Sequence, residues 1–252
     1  MITATGTART YVAIAGLLLL GLLFASLGTW QLHRAEASRA TRAQFAGGAA
    51  DSALAELPLE LDDAARFRRA EVRGEYVGRP QFLLDNMLHD GVAGYQVLTA
   101  LRIPGRRERV LVNRGWVPAG GDRRALPDIA VGSETRLVAG RLEHLPRPGM
   151  RLGANVSGDA VADAVVVLQY PVAAELEQRL GEPVYDYELL LDAAAADGYV
   201  REWQAPGLDP ERHLAYAGQW WALAVGAVAA AMVMAYRTIR GSPQRGALRR
   251  KP

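Results

Sequence analysis

The chain offers imidazole, amide and guanidinium chemistry and no thiol chemistry. It has four histidines, His33, His89, His144 and His213, and no cysteine. A disulfide, a thiolate metal site and a cysteine nucleophile are therefore excluded. No histidine lies in an HExxH run, no serine stands in a Gly-x-Ser-x-Gly elbow, and no glycine-rich loop opens a helix. Hydrolysis and nucleotide binding have no support. The useful histidine is His213. On a helix, His213, Tyr216, Ala217 and Trp220 fall at i, i+3, i+4 and i+7, on one side. A gap at Ala217 beside an imidazole and two rings suits a flat apolar ligand, and imidazole is a common axial ligand for haem iron. The competing reading is that histidine and tryptophan are ordinary residues of a lipid–water boundary. Gln31 and Gln219 carry amides inside apolar runs, where they pair helices, reach a bound group or snorkel to the boundary. Arg114, in Val112-Asn113-Arg114-Gly115-Trp116, either stacks on Trp116, holds a carboxylate such as a haem propionate, or is a surface arginine.

The elements that place these residues begin with two uncharged runs. Residues 11–32 and 214–236 carry no charged side chain. At 1.5 Å per residue, about 20 apolar residues cross a hydrocarbon core of roughly 30 Å. Trp30 lies near the end of the first run, and Trp220 and Trp221 near the start of the second. Tryptophan favours the water–lipid boundary. The first run is too long, and continues too far past Ser26-Leu27-Gly28, to be read simply as a cleaved signal peptide. Charge gives the orientation. The formal charge of +2 divides into −5 on residues 33–213, +1 at Arg9 and +6 on residues 237–252. The basic tail predicts a cytoplasmic C-terminus. The layout is a cytoplasmic N-terminus (1–10), span one (11–32), an external domain (33–213), span two (214–236) and a cytoplasmic tail (237–252). In a bacterium this is the inner membrane, with the domain in the periplasm. An acidic folded part argues against a nucleic-acid partner and leaves the lipid bilayer as the evident one.

Between the spans, the stretch 33–47 reads as a continuation of the first helix into water. Strands are expected at 66–77, 81–85, 95–103, 109–117, 135–145, 164–170, 184–191 and 199–204. Pro104-Gly105 marks a turn, and a helix over 173–180 ends at Gly181. The fold class is a membrane protein with two transmembrane helices bracketing a mainly β (α+β) extracytoplasmic domain, a small barrel or sandwich.

Four motifs, taken in order, resemble the SURF1 family of cytochrome c oxidase assembly proteins. Leu27-Gly28-Thr29-Trp30-Gln31-Leu32 with Arg34 is similar to its signature at the end of the first span. Gly94-Tyr95 with Val97-Leu98-Thr99 resembles its Gly-Tyr strand. Val110–Pro118, VLVNRGWVP, resembles its most specific motif, and His213–Ala224, HLAYAGQWWALA, the opening of its second span. The resemblance implies assembly of haem–copper oxidase and no enzymatic activity. It implies haem a as cargo, and the oxidase's large subunit and other assembly factors as partners. It places an iron-ligating histidine at His213, and Trp30, Gln31, Arg34, Tyr216, Gln219 and Trp220 around the same pocket. Asn113, Arg114, Gly115 and Trp116 fall on the external-domain signature. His33 lies outside the pattern. Two other classes stay open: a factor that stabilises oxidase subunits without haem, and a membrane-anchored enzyme built around His89 or His144.

Overall fold

The structure, a computed structural model, describes residues 2–48, 51–147, 156–157 and 164–240. The basic residues Arg245, Arg249, Arg250 and Lys251 of the expected cytoplasmic tail lie outside the described residues. The chain divides into two units, a helical one (residues 1–42 and 206–252) and a β unit, Ala43–Ala205.

In the helical unit, α1 (Ile2–Gly47) enters as one unbroken helix and α3 (Pro210–Arg240) returns antiparallel to it. Both are long and apolar enough to cross a membrane. Along α1 low exposure recurs at Ile14, Leu17, Gly21, Phe24, Gly28, Gln31, Ala35 and Ser38, with Gly21, Gly28 and Ala35 buried. Along α3 it recurs at His213, Ala217, Trp220, Ala224, Ala227 and Ala231. Both series step by alternating threes and fours, the 3.5-residue repeat of a left-handed helix pair. Small residues dominate the seam because a lipid solvent gives no hydrophobic drive, so close backbone approach must supply van der Waals contact. Gly28 is the tightest point. A Cβ there would lie 1.8 Å from Cδ1 of Trp221, whose ring crosses the glycine. Away from the seam Leu19, Leu22, Leu23, Leu223, Val225 and Met232 are exposed, the outward apolar surface that lipid requires. Ser38 Oγ donates to Leu208 O at 2.6 Å, and Arg39–Glu211 and Arg42–Asp209 pair at 3.6 and 3.7 Å. These tie α1 to the start of α3.

In the β unit the strands are β1 (Arg69–Tyr76), β2 (Gln81–His89), β3 (Val92–Arg102), β4 (Arg109–Pro118), β5 (Arg136–His144), β6 (Val156–Ser157), β7 (Val165–Leu168) and β8 (Val184–Leu191). The order β1-β5-β8-β4-β3 closes on itself through Glu75↔Arg102 and Tyr76↔Leu101. The result is a five-stranded barrel, with β2, β7 and β6 extending the sheet from β3. Alternation sets its interior. Tyr185, Tyr187, Leu189 and Leu191 of β8 point in, beside Val110 and Val112 of β4 and Val138 and Leu142 of β5. A second apolar cluster packs α2 (Ala173–Leu180) through Leu176 against Phe82, Leu84, Leu98 and Leu111. As expected, α2 ends at Gly181, which takes the left-handed cap conformation at φ 70°.

Two differences from the sequence expectation bear on the Asn113–Trp116 motif. β2 continues to His89 and joins β3 through Asp90-Gly91, both at positive φ, a type I′ hairpin turn. Tyr199–Gln204 is not a strand. It makes one bridge, Trp116↔Val200, because β8 already occupies β4 from Arg109 to Asn113.

Candidate functional site

The expected site residues fall into three groups. Gln31, His213 and Trp220 lie on the helix seam. Trp30, Arg34, Tyr216 and Gln219 are exposed on the same two helices, with Trp30 at 54% and Tyr216 at 51% exposure. Arg114 belongs to the β unit.

His213 is 7% exposed. Its Nδ1 lies 2.8 Å from Oε1 of Gln31, so one helix holds the imidazole of the other. The contact follows from the repeat: Gln31 is one seam position past Gly28, and His213 one before Ala217. Nε2 of His213 has no hydrogen-bond partner among the described residues. Fully buried side-chain atoms lacking a partner there are Arg68 Nε, His144 Nδ1 and Tyr185 OH, so Nε2 keeps an open edge. Ala217 is buried, and its small side chain serves helix approach rather than an open gap. The Trp220 ring packs on Phe24 at 5.6 Å, tilted by 31°. Tyr216, one position off the 3.5-residue repeat, points away from the seam. Arg34 makes no ion pair among the described residues, and the Gln219 amide makes no hydrogen bond there. Among the described residues no cluster of three or more His, Cys, Asp or Glu side chains could hold a metal by itself.

The Asn113–Trp116 motif does different work, inside the β unit. Arg114 is 3% exposed. Its Nε donates to Asp197 O at 2.8 Å, and its Nη1 donates to Ile129 O, Gln81 Oε1 and Thr99 Oγ1 at 3.0, 3.1 and 3.4 Å. The guanidinium lies 5.1 Å from the Tyr199 ring and 5.7 Å from that of Tyr76, and not on Trp116 as stacking along the strand would have it. Burial pushes the Tyr76 hydroxyl up to about 12, against the opposing charge of Arg114. Asn113 donates through Nδ2 to Glu188 Oε2 and Gln96 Oε1, both at 3.1 Å, and accepts from Gly115 N. Burial pushes the Glu188 carboxyl up to about 8, opposed by the Asn113 hydrogen bond. Gly115 has φ 107°, and a Cβ there would lie 2.6 Å from Val200 O. That close approach lets Trp116 exchange backbone bonds with Val200 at 2.8 and 3.2 Å. The indole N–H of Trp116 donates to Met87 O at 3.1 Å, and its ring packs on His89 at 5.1 Å. The motif thus fastens β4 to the 197–200 segment, to the β2–β3 hairpin and to β8.

Sequence reading missed Gln81, Thr99, Glu188 and Asp197. Their signal is weak: each is a single polar residue whose partners are distant in sequence.

A family model described as the SURF1 family matches residues 18–225. The chain belongs to the SURF1 family. Membership implies a role in cytochrome oxidase assembly, for a family of assembly factors and not a known enzyme family. No curated protein shows significant similarity to the chain. The SURF1 match starts inside α1 and ends inside α3, so it takes in Gln31, the barrel motif, His213 and Trp220.

Proposed function

We propose that this SURF1-family protein takes haem a into custody at the outer end of its helix pair. It passes that cargo toward the large catalytic subunit of the oxidase. The observation that carries this reading is the His213–Gln31 pair: a buried imidazole, held at one nitrogen and unpartnered at the other. Its donor chemistry suits a haem iron, which takes a neutral imidazole as axial ligand.

The other residues have roles that their exposure allows. Trp30 and Tyr216 present aromatic faces beside Gln31 and His213 to an apolar macrocycle. Arg34, three positions beyond Gln31 and without an ion-pair partner among the described residues, suits a propionate carboxylate. Gln219 offers an amide to cargo or to a neighbouring helix. Trp220 stays with Phe24 as packing beneath the ligand position. Arg114 donates to four acceptors of its own unit, so the reading assigns it to the barrel fold. A carrier with one histidine ligand releases its cargo to a site that supplies stronger ligation. The orientation follows the basic tail, with residues 33–213 outside the cytoplasm and, in a bacterium, in the periplasm.

Protein purified in detergent from cells making haem a is expected to show a haem spectrum, lost or shifted in His213→Ala. A colourless wild-type protein that still co-purifies with the oxidase large subunit would instead establish a purely structural assembly factor.

A further inference from the structure

We infer that Gln31 is a positioning residue for His213: its side-chain oxygen fixes the imidazole proton on Nδ1 and leaves the Nε2 lone pair outward. The iron-binding consequence rests on the haem-custody reading. The proton position is a property of this chain alone.

The argument is one of donors and acceptors. Oε1 of Gln31 lies 2.8 Å from Nδ1 of His213. An amide oxygen has lone pairs and no proton, so the ring nitrogen must donate. A neutral imidazole has a single N–H, which makes Nε2 the acceptor. Only a nitrogen with a free lone pair ligates iron. Little else near the ring competes for the N–H. The acidic groups around the start of α3 are engaged: Glu211 with Arg39 at 3.6 Å and Asp209 with Arg42 at 3.7 Å. Arg34 and Arg212 are exposed cations that cannot accept a hydrogen bond. Gln31 therefore does for His213 what outer-shell carbonyls and carboxylates do for histidines at metal sites: it selects the tautomer and sets the ring's angle. The arrangement also explains why a glutamine is spent at a seam otherwise built of small and apolar residues.

The test uses the full-length protein in lipid nanodiscs, free of haem, with ¹⁵N-labelled histidine. The His213 signals are identified by their loss in His213→Ala. The expected wild-type result is a protonated Nδ1 and a bare Nε2. Gln31→Leu is expected to move the proton to Nε2 or to mix the tautomers, whereas Gln31→Glu, which keeps an acceptor, is expected to retain it on Nδ1. Gln31→Asn, one carbon short, replaces Gln31→Leu if that variant fails to accumulate. With haem a added, loss of the acceptor is expected to weaken binding by roughly 10- to 100-fold. Gln31→Glu is expected to restore binding and to lower the midpoint potential, because a carboxylate makes the imidazole a stronger donor. A mere helix-pairing role would move neither tautomer nor potential. A wild-type proton on Nε2, or a tautomer unchanged in Gln31→Leu, overturns the inference. If His213→Ala binds haem as wild type does, His213 is not the iron ligand, and the haem-free spectrum still decides the role of Gln31.

Discussion

Glu188 and Arg114 show what the most specific motif of this chain costs and returns at the scale of single residues. Glu188 is buried beside Asn113, and its carboxyl holds a proton up to about pH 8. The folded state therefore binds a proton that the unfolded chain has released above the ordinary carboxylate range. Stability contributed by this group is fully present at acid pH and is lost as pH rises toward about 8, by about 1.4 kcal/mol per unit. Glu188→Gln keeps the shape and removes the ionisation. Thermal unfolding of the variant should lose most of the decline between about pH 5 and 8 and give a higher Tm at pH 8. An unchanged slope would assign the pH dependence elsewhere. Arg114 is the opposite case, a permanent charge whose guanidinium fork reaches acceptors from four segments. Lysine lacks the fork and satisfies fewer of them. Arg114→Lys should destabilise the protein by about 2 kcal/mol or more, through buried acceptors left without donors. Its haem spectrum should match wild type wherever the variant is folded. A lost spectrum with an unchanged Tm would return Arg114 to the cargo site.

At the scale of elements, the helix pair makes a geometric commitment that chemistry can check. A Cβ built on Gly21 lies 3.8 Å from Cβ of Ala227, the usual separation across a disulfide. The natural chain has no cysteine, so an introduced pair reports on itself alone. Gly21→Cys with Ala227→Cys should cross-link under mild oxidant and change gel mobility. Gly21→Cys with Val225→Cys should not, since Val225 faces outward. Equal cross-linking of both pairs would mean that the helices rotate freely. The same seam shows where sequence reading stopped. The two spans, the helix over 173–180 with its Gly181 cap, and the alternating strands were legible, because each rests on local periodicity or one special backbone conformation. The rotation of α3 was not. His213, Tyr216, Ala217 and Trp220 share a broad helical side, and alanine is so frequent in this span that no residue marks the contact line. Only packing against α1 turns 213, 217 and 220 inward and leaves Tyr216 exposed. Barrel closure was also invisible, since β1 meets β3 through Glu75↔Arg102 and Tyr76↔Leu101, and neither pair has a distinctive residue type. Arg114 read as a surface or ligand-binding arginine for a related reason: its acceptors are Gln81, Thr99, Ile129 and Asp197, scattered over more than a hundred residues.

At the scale of the whole molecule, charge divides unevenly along the chain. Residues 33–213 carry −5 and the two ends +7, so the basic pI comes from the ends of the chain and not from the part between the spans. The rule that sets orientation counts lysine and arginine near span ends, and the six in residues 237–252 outweigh Arg9. Arg34, Arg39 and Arg42 pull the other way after the first span. Long domains translocate with little regard for such charges, and Arg39 and Arg42 are paired to Glu211 of α3 and to Asp209 just before it. This balance makes a direct prediction in the cysteine-free background. Leu88, 74% exposed near the hairpin tip, is replaced by cysteine in one protein, and Ala247 of the tail in another. A membrane-impermeant maleimide applied to intact spheroplasts should label Leu88→Cys at once. It should label Ala247→Cys only after lysis. The reverse pattern would place the barrel in the cytoplasm and His213 on the inner face, where a carrier would have to serve the oxidase from the other side of the membrane. Labelling of both sites before lysis would mean that one of the two helices does not span. The expected pattern puts Gln31, His213 and Trp30 at the outer boundary, because each lies at the end of its span nearest residues 33–213.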